Sequence, residues 1–283
     1  ERDQKVKITY QTKLIGREAE ISMLKELLEK ACAGKGGLCL ISGEAGMGKS
    51  RLVEELRSYF YEKDVPFFRG RCLNQTNKIP YYPVRNILDE FIARLEKASP
   101  EVFAAEAARI KKVLGKLAGV ITQFHPRLEN LAGKALKPVP LKPERETQRF
   151  LMALSDLFCG LAAPGQACVL FIDDLQWADE GSLFLLQEIL RKIDGSHLLI
   201  LGTYRDNEVG TGHRLTEIIR EAKLRNYPVT EIKLSPITLT AANELLASLL
   251  GIKPAETGRL AYFLYKKSRG NPFFIINILR ELF

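Results

Sequence analysis

Two kinds of apolar pattern alternate along the first 235 residues of the chain. Short apolar runs at 38–41, 168–172 and 197–202, with less continuous ones at 65–70 and 230–234, are typical of strands in a buried parallel sheet. Between them, apolar residues spaced three and four apart predict helices over 17–33, 51–61, 86–120, 146–162 and 181–193. Alternating strands and helices predict an α/β fold, in which helices flank a parallel sheet on both faces.

The pattern changes after Pro236, where only helices are predicted. Thr240 is a candidate N-cap for the first of them, a second spans about 256–268, and a third starts at 274, after a break at 270–272. We therefore predict an α/β core over residues 1–235, with a helical insertion at about 84–140, and a small helical lid domain over 236–283. Since the chain stops within a helical pattern, we expect the lid domain to be truncated and the parent protein to be longer.

Composition narrows the function classes. Apolar residues make up 46% and charged residues 27% of the chain, which is ordinary for a globular protein. The net charge of +8 is spread without a block of like charges, so we do not expect direct nucleic-acid binding. The five cysteines form no CxxC pair, and no apolar run approaches the ~18 residues that span a bilayer. These features predict a cytoplasmic protein that makes no membrane contact.

A glycine-rich loop, GEAGMGKS at 43–50, follows the first predicted strand and precedes a helix. It matches the pattern G-x-x-x-x-G-K-[ST], in which backbone N–H groups and the helix N-terminus surround a phosphate chain. Lys49 is expected to contact the β- and γ-phosphates, and the Ser50 hydroxyl is expected to bind Mg²⁺. The sequence thus predicts a site for ATP or ADP with Mg²⁺, with phosphate-binding residues Gly43, Glu44, Ala45, Gly46, Met47, Gly48, Lys49, Ser50 and Arg51.

Two acids, Asp173 and Asp174, end the apolar run at 168–172. The carboxyl ends of parallel strands share one edge of the sheet, so both acids should lie beside the glycine-rich loop. There Asp173 can bind Mg²⁺ through water and accept a hydrogen bond from Ser50, while Asp174 can polarise the attacking water. The alternatives are an ordinary strand-ending turn at Asp173 and a pair of carboxylates of which only one acts.

Arg205 follows the strand predicted at 197–202 and should face the same crevice. It could contact the γ-phosphate and register its loss, which would make it a catalytic residue together with Lys49 and Asp174. The alternative is a surface arginine paired with Asp206.

The order of these motifs resembles that of AAA-type ATPase domains of the STAND class, the signal-transduction ATPases with numerous domains. The likeness extends over nearly the whole chain from about residue 12 and rests on GREAE (16–20), the loop at 43–50, RGRC (69–72), PYYP (80–83), FIDDLQWAD (171–179), LGTYRDNEV (201–209) and GNPFF (270–274). It implies that Ile15, Gly16 and Arg17 wrap the adenine, that Arg205 is the sensor arginine and that Pro272 packs on the adenine.

The resemblance also implies a moving lid whose angle depends on whether ATP or ADP is bound. Such modules belong to large regulators, among them LuxR-type transcription factors, nucleotide cyclases and Ser/Thr kinases. Expected partners are therefore ATP, other domains of the same parent chain and, through ATP-dependent self-association, further copies. Asp174 stands where ring-forming AAA+ machines usually carry glutamate, which argues for slow hydrolysis and against a constitutive hexameric ring.

Three functions fit these features. The first is a regulatory ATPase switch, closed by Mg·ATP and reset by slow hydrolysis. The second, motivated by the net charge of +8 and the core-and-lid layout, is a DNA-binding initiator-like ATPase. The third is a scaffold module that holds its nucleotide without hydrolysing it. For Arg71, Tyr81 and Tyr82, which the family pattern marks, we favour packing of the second strand and its loop against the core.

Overall fold

The predicted strands form a single parallel sheet of five strands, which confirms the α/β fold. They are β1 (Gly37–Ser42), β2 (Phe67–Arg71), β3 (Cys168–Asp173), β4 (Leu198–Tyr204) and β5 (Val229–Lys233). Their order across the sheet is β2-β3-β4-β1-β5, so neighbours in the sheet are mostly distant in sequence. The carboxyl ends of β1, β3 and β4 consequently meet at the middle of one edge.

The structure is a computed structural model that describes residues 14–74, 79–133 and 138–282. Helices α1 (Glu18–Cys32), α2 (Lys49–Glu62), α3 (Tyr82–Leu95), α4 (Pro100–Leu114), α5 (Ala118–Phe124) and α6 (Glu129–Ala132) lie before β3, as does α7 (Pro143–Cys159). They are followed by α8 (Glu180–Leu190), α9 (Arg214–Leu224), α10 (Leu239–Leu250), α11 (Pro254–Ser268) and α12 (Pro272–Leu282).

Helices cover both faces of the sheet. Successive residues of a strand point to opposite faces, and in β1 Leu38 and Leu40 join one apolar cluster while Cys39 and Ile41 join another. The first cluster is completed by α3 to α9 and the second by α1 and α2. Each strand of the centre is therefore buried from two sides, which explains its unbroken apolar sequence.

The helical segment between β2 and β3 is divided more finely than its apolar spacing suggests. The region predicted as helical at 86–120 consists of α3, α4 and α5. Ser99 is the N-cap of α4 and separates it from α3. Its side chain accepts a hydrogen bond from the Val102 N–H, and Pro100 occupies the first turn of α4. Helix α3 also begins earlier than predicted, at Tyr82 instead of residue 86.

The last three helices pack around an apolar cluster of their own, formed by residues such as Leu246, Leu264 and Leu279. The predicted N-cap at Thr240 is wrong: Thr238 caps α10, since its hydroxyl accepts a hydrogen bond from the Ala241 N–H and its backbone is extended. Helix α9 was not predicted; its buried side is narrow, consisting of Leu215, Ile218 and Ala222.

Candidate functional site

A cleft of about 590 Å³ lies between the carboxyl edge of the sheet and helices α10 and α12. It is lined from the sheet side by the glycine-rich loop, by the ends of β2, β3 and β4, and from the other side by Ile237, Leu245 and the start of α12. The lining residues among those predicted from sequence are Ile15, Arg17, Ala45, Gly46, Met47, Gly48, Lys49, Ser50, Arg51, Asp173, Asp174, Arg205 and Pro272.

Lys49 begins helix α2 and is largely buried at the floor of this cleft. Its ammonium donates hydrogen bonds to the carbonyl oxygens of Gly43 (2.7 Å) and Glu44 (2.9 Å), so these two residues hold the lysine rather than line the cleft. Burial first, and the neighbouring Arg205 guanidinium second, hold the pKa of Lys49 below its ordinary value. The N–H groups of the first turn of α2 lack partners within the helix, as at every helix start, and add a positive end to the site.

Asp173 is the hub of the polar contacts at the end of β3. One carboxylate oxygen accepts hydrogen bonds from the hydroxyls of Ser50 (2.9 Å) and Thr203 (2.5 Å), and the other from the Arg69 guanidinium (2.6 Å). The bond to Ser50, expected from sequence, joins the glycine-rich loop to β3. Hydroxyl and carboxylate oxygens are ligands that Mg²⁺ prefers, so Ser50 and Asp173 fit the predicted cation.

Asp174 occupies a tight corner immediately after β3, with a φ of 62° in the left-handed region. Its N–H donates to Thr203 Oγ1 (3.1 Å), and its Oδ1 accepts from the Gln176 side-chain amide (3.0 Å). Its Oδ2 lies 3.5 Å from Arg71 Nε. A residue other than glycine in the left-handed region is strained and needs such fixed partners. Here these contacts hold the Asp174 carboxylate among the groups that line the cleft.

Arg205, just past β4, lines the cleft and is held from its outer side. Its guanidinium contacts a Glu208 carboxylate oxygen at 2.7 Å and lies 4.8 Å from the centre of the Trp177 ring. The alternative pairing with Asp206 is wrong, because the carboxylate of Asp206 forms its ion pair with Lys233 at 3.1 Å.

The N-terminal motif contributes to the junction between the sheet and the C-terminal helices. Ile15 lines the cleft, while the buried Arg17 guanidinium donates to the carbonyl oxygens of Ser235 (2.5 Å) and Met47 (3.3 Å). Gly16 is not among the lining residues: it has a φ of 71°, and a Cβ placed on it would lie 2.7 Å from the Ala241 Cβ. Close approach of α10 thus requires glycine here, and the adenine contacts expected of this motif stay a prediction.

The GNP break between α11 and α12 touches the glycine-rich loop directly. The buried Asn271 amide donates to the Ala45 carbonyl oxygen (2.9 Å), and the Phe273 N–H donates to the Gly46 carbonyl oxygen (3.3 Å). A Cβ on Gly46, whose φ is 84°, would lie 2.7 Å from both Asn271 Oδ1 and Phe273 Cβ. Pro272 lines the cleft beside this contact.

Several residues of the site lie within recognised motifs, yet no contact at the site was predicted for them. Arg69 and Arg71 extend from β2 toward Asp173 and Asp174 at the end of β3. The predicted packing role therefore does not describe Arg71, whose side chain is 60% exposed. Gln176 and Asn271 are the others, and their places in FIDDLQWAD and GNPFF were the available signals. Packing does describe Tyr81, which meets Phe124 and Phe150 edge-on at ring distances of 5.7 and 5.2 Å.

No helix in the described ranges is both long and apolar enough to cross a bilayer.

Comparison with known proteins places this chain in a family. The model of the AAA ATPase domain matches residues 13–201, which is more than half of the chain. A hybrid signal transduction histidine kinase G of Dictyostelium discoideum is 24% identical over 333 residues, covering 95% of this chain and 10% of the kinase. An uncharacterised protein of Rhizobium meliloti is 29% identical over 193 residues, covering 68% of this chain and 18% of that protein. The chain thus spans a small part of these relatives.

Among solved structures, a Walker-type ATPase of Pyrococcus abyssi aligns with a TM-score of 0.50 and 19% identity, covering 97% of this chain and 69% of that one. A STAND protein with a tetratricopeptide repeat sensor from Pyrococcus horikoshii aligns with a TM-score of 0.45 and 15% identity, covering 96% of this chain and 30% of that one. The first likeness supports the fold, and the family match together with the complete glycine-rich loop supports the assignment: this chain belongs to the AAA ATPase domain family.

Proposed function

We propose that this chain is an ATP-binding regulatory module that hydrolyses ATP slowly as part of a larger signalling protein. The observation that carries the proposal is the hydrogen bond of 2.9 Å between Ser50 and Asp173, made beside the buried Lys49. This bond brings a hydroxyl, a carboxylate and an ammonium from two separate motifs to the floor of one cleft. Such a set binds a metal–triphosphate group.

Binding of the phosphate chain is assigned to the glycine-rich loop and to Lys49. The ammonium of Lys49 exchanges its carbonyl partners for β- and γ-phosphate oxygens, whose negative charge is the stronger acceptor. Ser50 and Asp173 would hold Mg²⁺, which would neutralise negative charge on the phosphate oxygens. Arg69 fixes the second oxygen of Asp173 and so keeps the carboxylate oriented.

Hydrolysis is assigned to Asp174 and Arg205. Asp174 would accept a hydrogen bond from the attacking water. The Gln176 amide orients the Asp174 carboxylate, and the bond from the Asp174 N–H to Thr203 fixes its backbone. Arg205 would stabilise charge on the phosphate oxygens. No covalent intermediate is needed, since positioning and electrostatics account for most of the catalysis of phosphoryl transfer. An aspartate is shorter than the glutamate of fast AAA+ machines, which supports slow turnover.

A regulatory role is supported by the contact between α12 and the glycine-rich loop. Asn271 and Phe273 bond to the carbonyl oxygens of Ala45 and Gly46, so the helical segment rests on the loop that would hold the phosphates. A nucleotide that reshapes the loop would therefore alter the seating of the helices. Among the relatives, one is described as a hybrid signal transduction histidine kinase, which supports placing the module in a larger signalling chain.

The proposal is tested by phosphate release under saturating Mg·ATP, with the wild type compared with Asp174→Asn and Lys49→Ala. Asp174→Asn should bind ATP and lose turnover, by about 10²–10⁴-fold as for other positioned acid–base groups. Lys49→Ala should lose ATP binding, and circular dichroism should show that both variants fold. ATP affinity that survives Lys49→Ala would contradict the site assignment. Tight binding without turnover in the wild type would favour the nucleotide-locked scaffold instead.

A further inference from the structure

Arg205, which lines the cleft near Lys49, belongs to a compact three-residue cluster. One Glu208 carboxylate oxygen accepts from the Arg205 guanidinium (2.7 Å), and the other accepts from the Trp177 indole N–H (2.9 Å). The guanidinium carbon also lies 4.8 Å from the Trp177 ring centre, within the range of a cation–π contact. Trp177 and Glu208 themselves do not line the cleft.

The backbone around the cluster is fixed independently of these side chains. The Glu208 N–H donates to the Arg205 carbonyl oxygen (3.1 Å), which closes a turn and sets the two side chains facing each other. The Arg205 N–H donates to Gln176 Oε1 (3.1 Å), and the same Gln176 amide bonds to Asp174. The main chain at Arg205 is therefore anchored. A change of partner by the guanidinium requires only that the Arg205 side chain rotate.

We infer that Glu208 and Trp177 are positioning residues that hold Arg205 back from the phosphates and thereby set the discrimination between ATP and ADP. The inference rests on the proposed function, in which this cleft binds Mg·ATP. A γ-phosphate competes with the Glu208 carboxylate for the guanidinium, and binding of ATP must break the existing contacts. ADP has no γ-phosphate, so Arg205 stays on Glu208 and Trp177.

The energetics follow from competition between two states of Arg205. If only part of the population has its guanidinium available, the apparent affinity for ATP is reduced by that fraction, while the affinity for ADP is not. An exposed ion pair together with a cation–π contact biases such an equilibrium by about three- to tenfold. Glu208 therefore acts against ATP binding, which is the opposite of what a structural brace for the site would do.

Glu208→Gln tests this, because it removes the charge and keeps the shape and the acceptor for the indole. Dissociation constants for Mg·ATP and Mg·ADP would be measured by calorimetry for both proteins. We expect the ATP constant to fall by about three- to fivefold and the ADP constant to stay within error. The matched control is Glu217→Gln, which alters the same kind of pair: Arg214 bonds to Glu217 (2.6 Å) and lies 4.7 Å from the Phe184 ring centre, away from the cleft. It should change neither constant.

Trp177 supplies an independent signal, since it is the single tryptophan of the sequence. Mg·ATP should shift its emission in a way that Mg·ADP does not, and Arg205→Met should remove the difference between the two nucleotides. Equal changes of ATP and ADP affinity in Glu208→Gln, weaker ATP binding, or the same emission with both nucleotides would overturn the inference. A wild type that binds neither nucleotide would refute the proposed function itself, and the inference with it.

Discussion

Replacing Gly16 by alanine would perturb the junction between the N-terminal motif and α10 at one atom. The φ of 71° at this residue lies in the left-handed region, where a Cβ costs roughly 1–2 kcal/mol. The added Cβ would also lie 2.7 Å from the Ala241 Cβ, well inside the 3.5–4.0 Å of a favourable carbon contact, and such overpacking costs about 1–3 kcal/mol. We expect the free energy of unfolding to fall by about 2–5 kcal/mol in total.

The two contributions can be separated with a second substitution. Ala241→Gly removes the partner methyl and, in the first turn of α10, costs about 0.5–1 kcal/mol by itself. In the double variant the steric part is relieved and the backbone strain is kept. The double variant should therefore be more stable than the sum of the single effects predicts, by about 1–3 kcal/mol.

Urea denaturation followed by circular dichroism gives the four free energies of this cycle. Gly258→Ala is the matched control: Gly258 lies within α11 and its φ is not positive. Apart from its chain neighbours and the backbone of its own helix, no atom lies within 4 Å of its added Cβ. That substitution should stabilise the chain by about 0.4–1 kcal/mol. Additive free energies in the cycle, or a Gly16→Ala variant as stable as the wild type, would refute the placement of α10 against the N-terminal motif.

The remaining predictions concern the loop contact, the lysine and the thiols. Asn271→Asp keeps the acceptor for the Phe273 N–H but loses the donor to Ala45, so urea denaturation should show a loss of about 1–3 kcal/mol. The pKa of Lys49 lies below its ordinary value, so in the protein without nucleotide its ammonium loses the proton at a lower pH than a solvated lysine would. ATP affinity measured by calorimetry should therefore weaken as the pH rises through that pKa. An ATP affinity that stays constant at alkaline pH would contradict this. Burial raises the thiol pKa of Cys39 and Cys168 to about 12, so iodoacetamide at pH 8 should label both only after unfolding, as mass spectrometry of the native and urea-treated chain would show.

The strands, the glycine-rich loop and the Ser50–Asp173 contact could be predicted because their signals are local. An unbroken apolar run predicts a strand buried from two sides, and GEAGMGKS at 43–50 carries its own backbone chemistry. The parallel sheet then brings the ends of its strands to one edge, so a hydroxyl after β1 and a carboxylate at the end of β3 were expected to meet. The start of α10 could not be predicted in the same way. Thr238 and Thr240 are both adequate capping residues, and which of them caps the helix depends on where the backbone is extended.

The partners of the charged side chains were decided by the tertiary structure alone. Arg205 has carboxylates at both Asp206 and Glu208, and it pairs with Glu208 because the turn at 205–208 turns that carboxylate toward it. Arg71 meets Asp174 because β2 lies next to β3 in the sheet, although about a hundred residues separate them in the sequence. Gly16 lies against Ala241 because α10 packs on the N-terminal motif, although the two residues are far apart in the sequence. A pattern along the chain records which face of an element is apolar, whereas the neighbour across that face is set only when the whole sheet and its helices have packed.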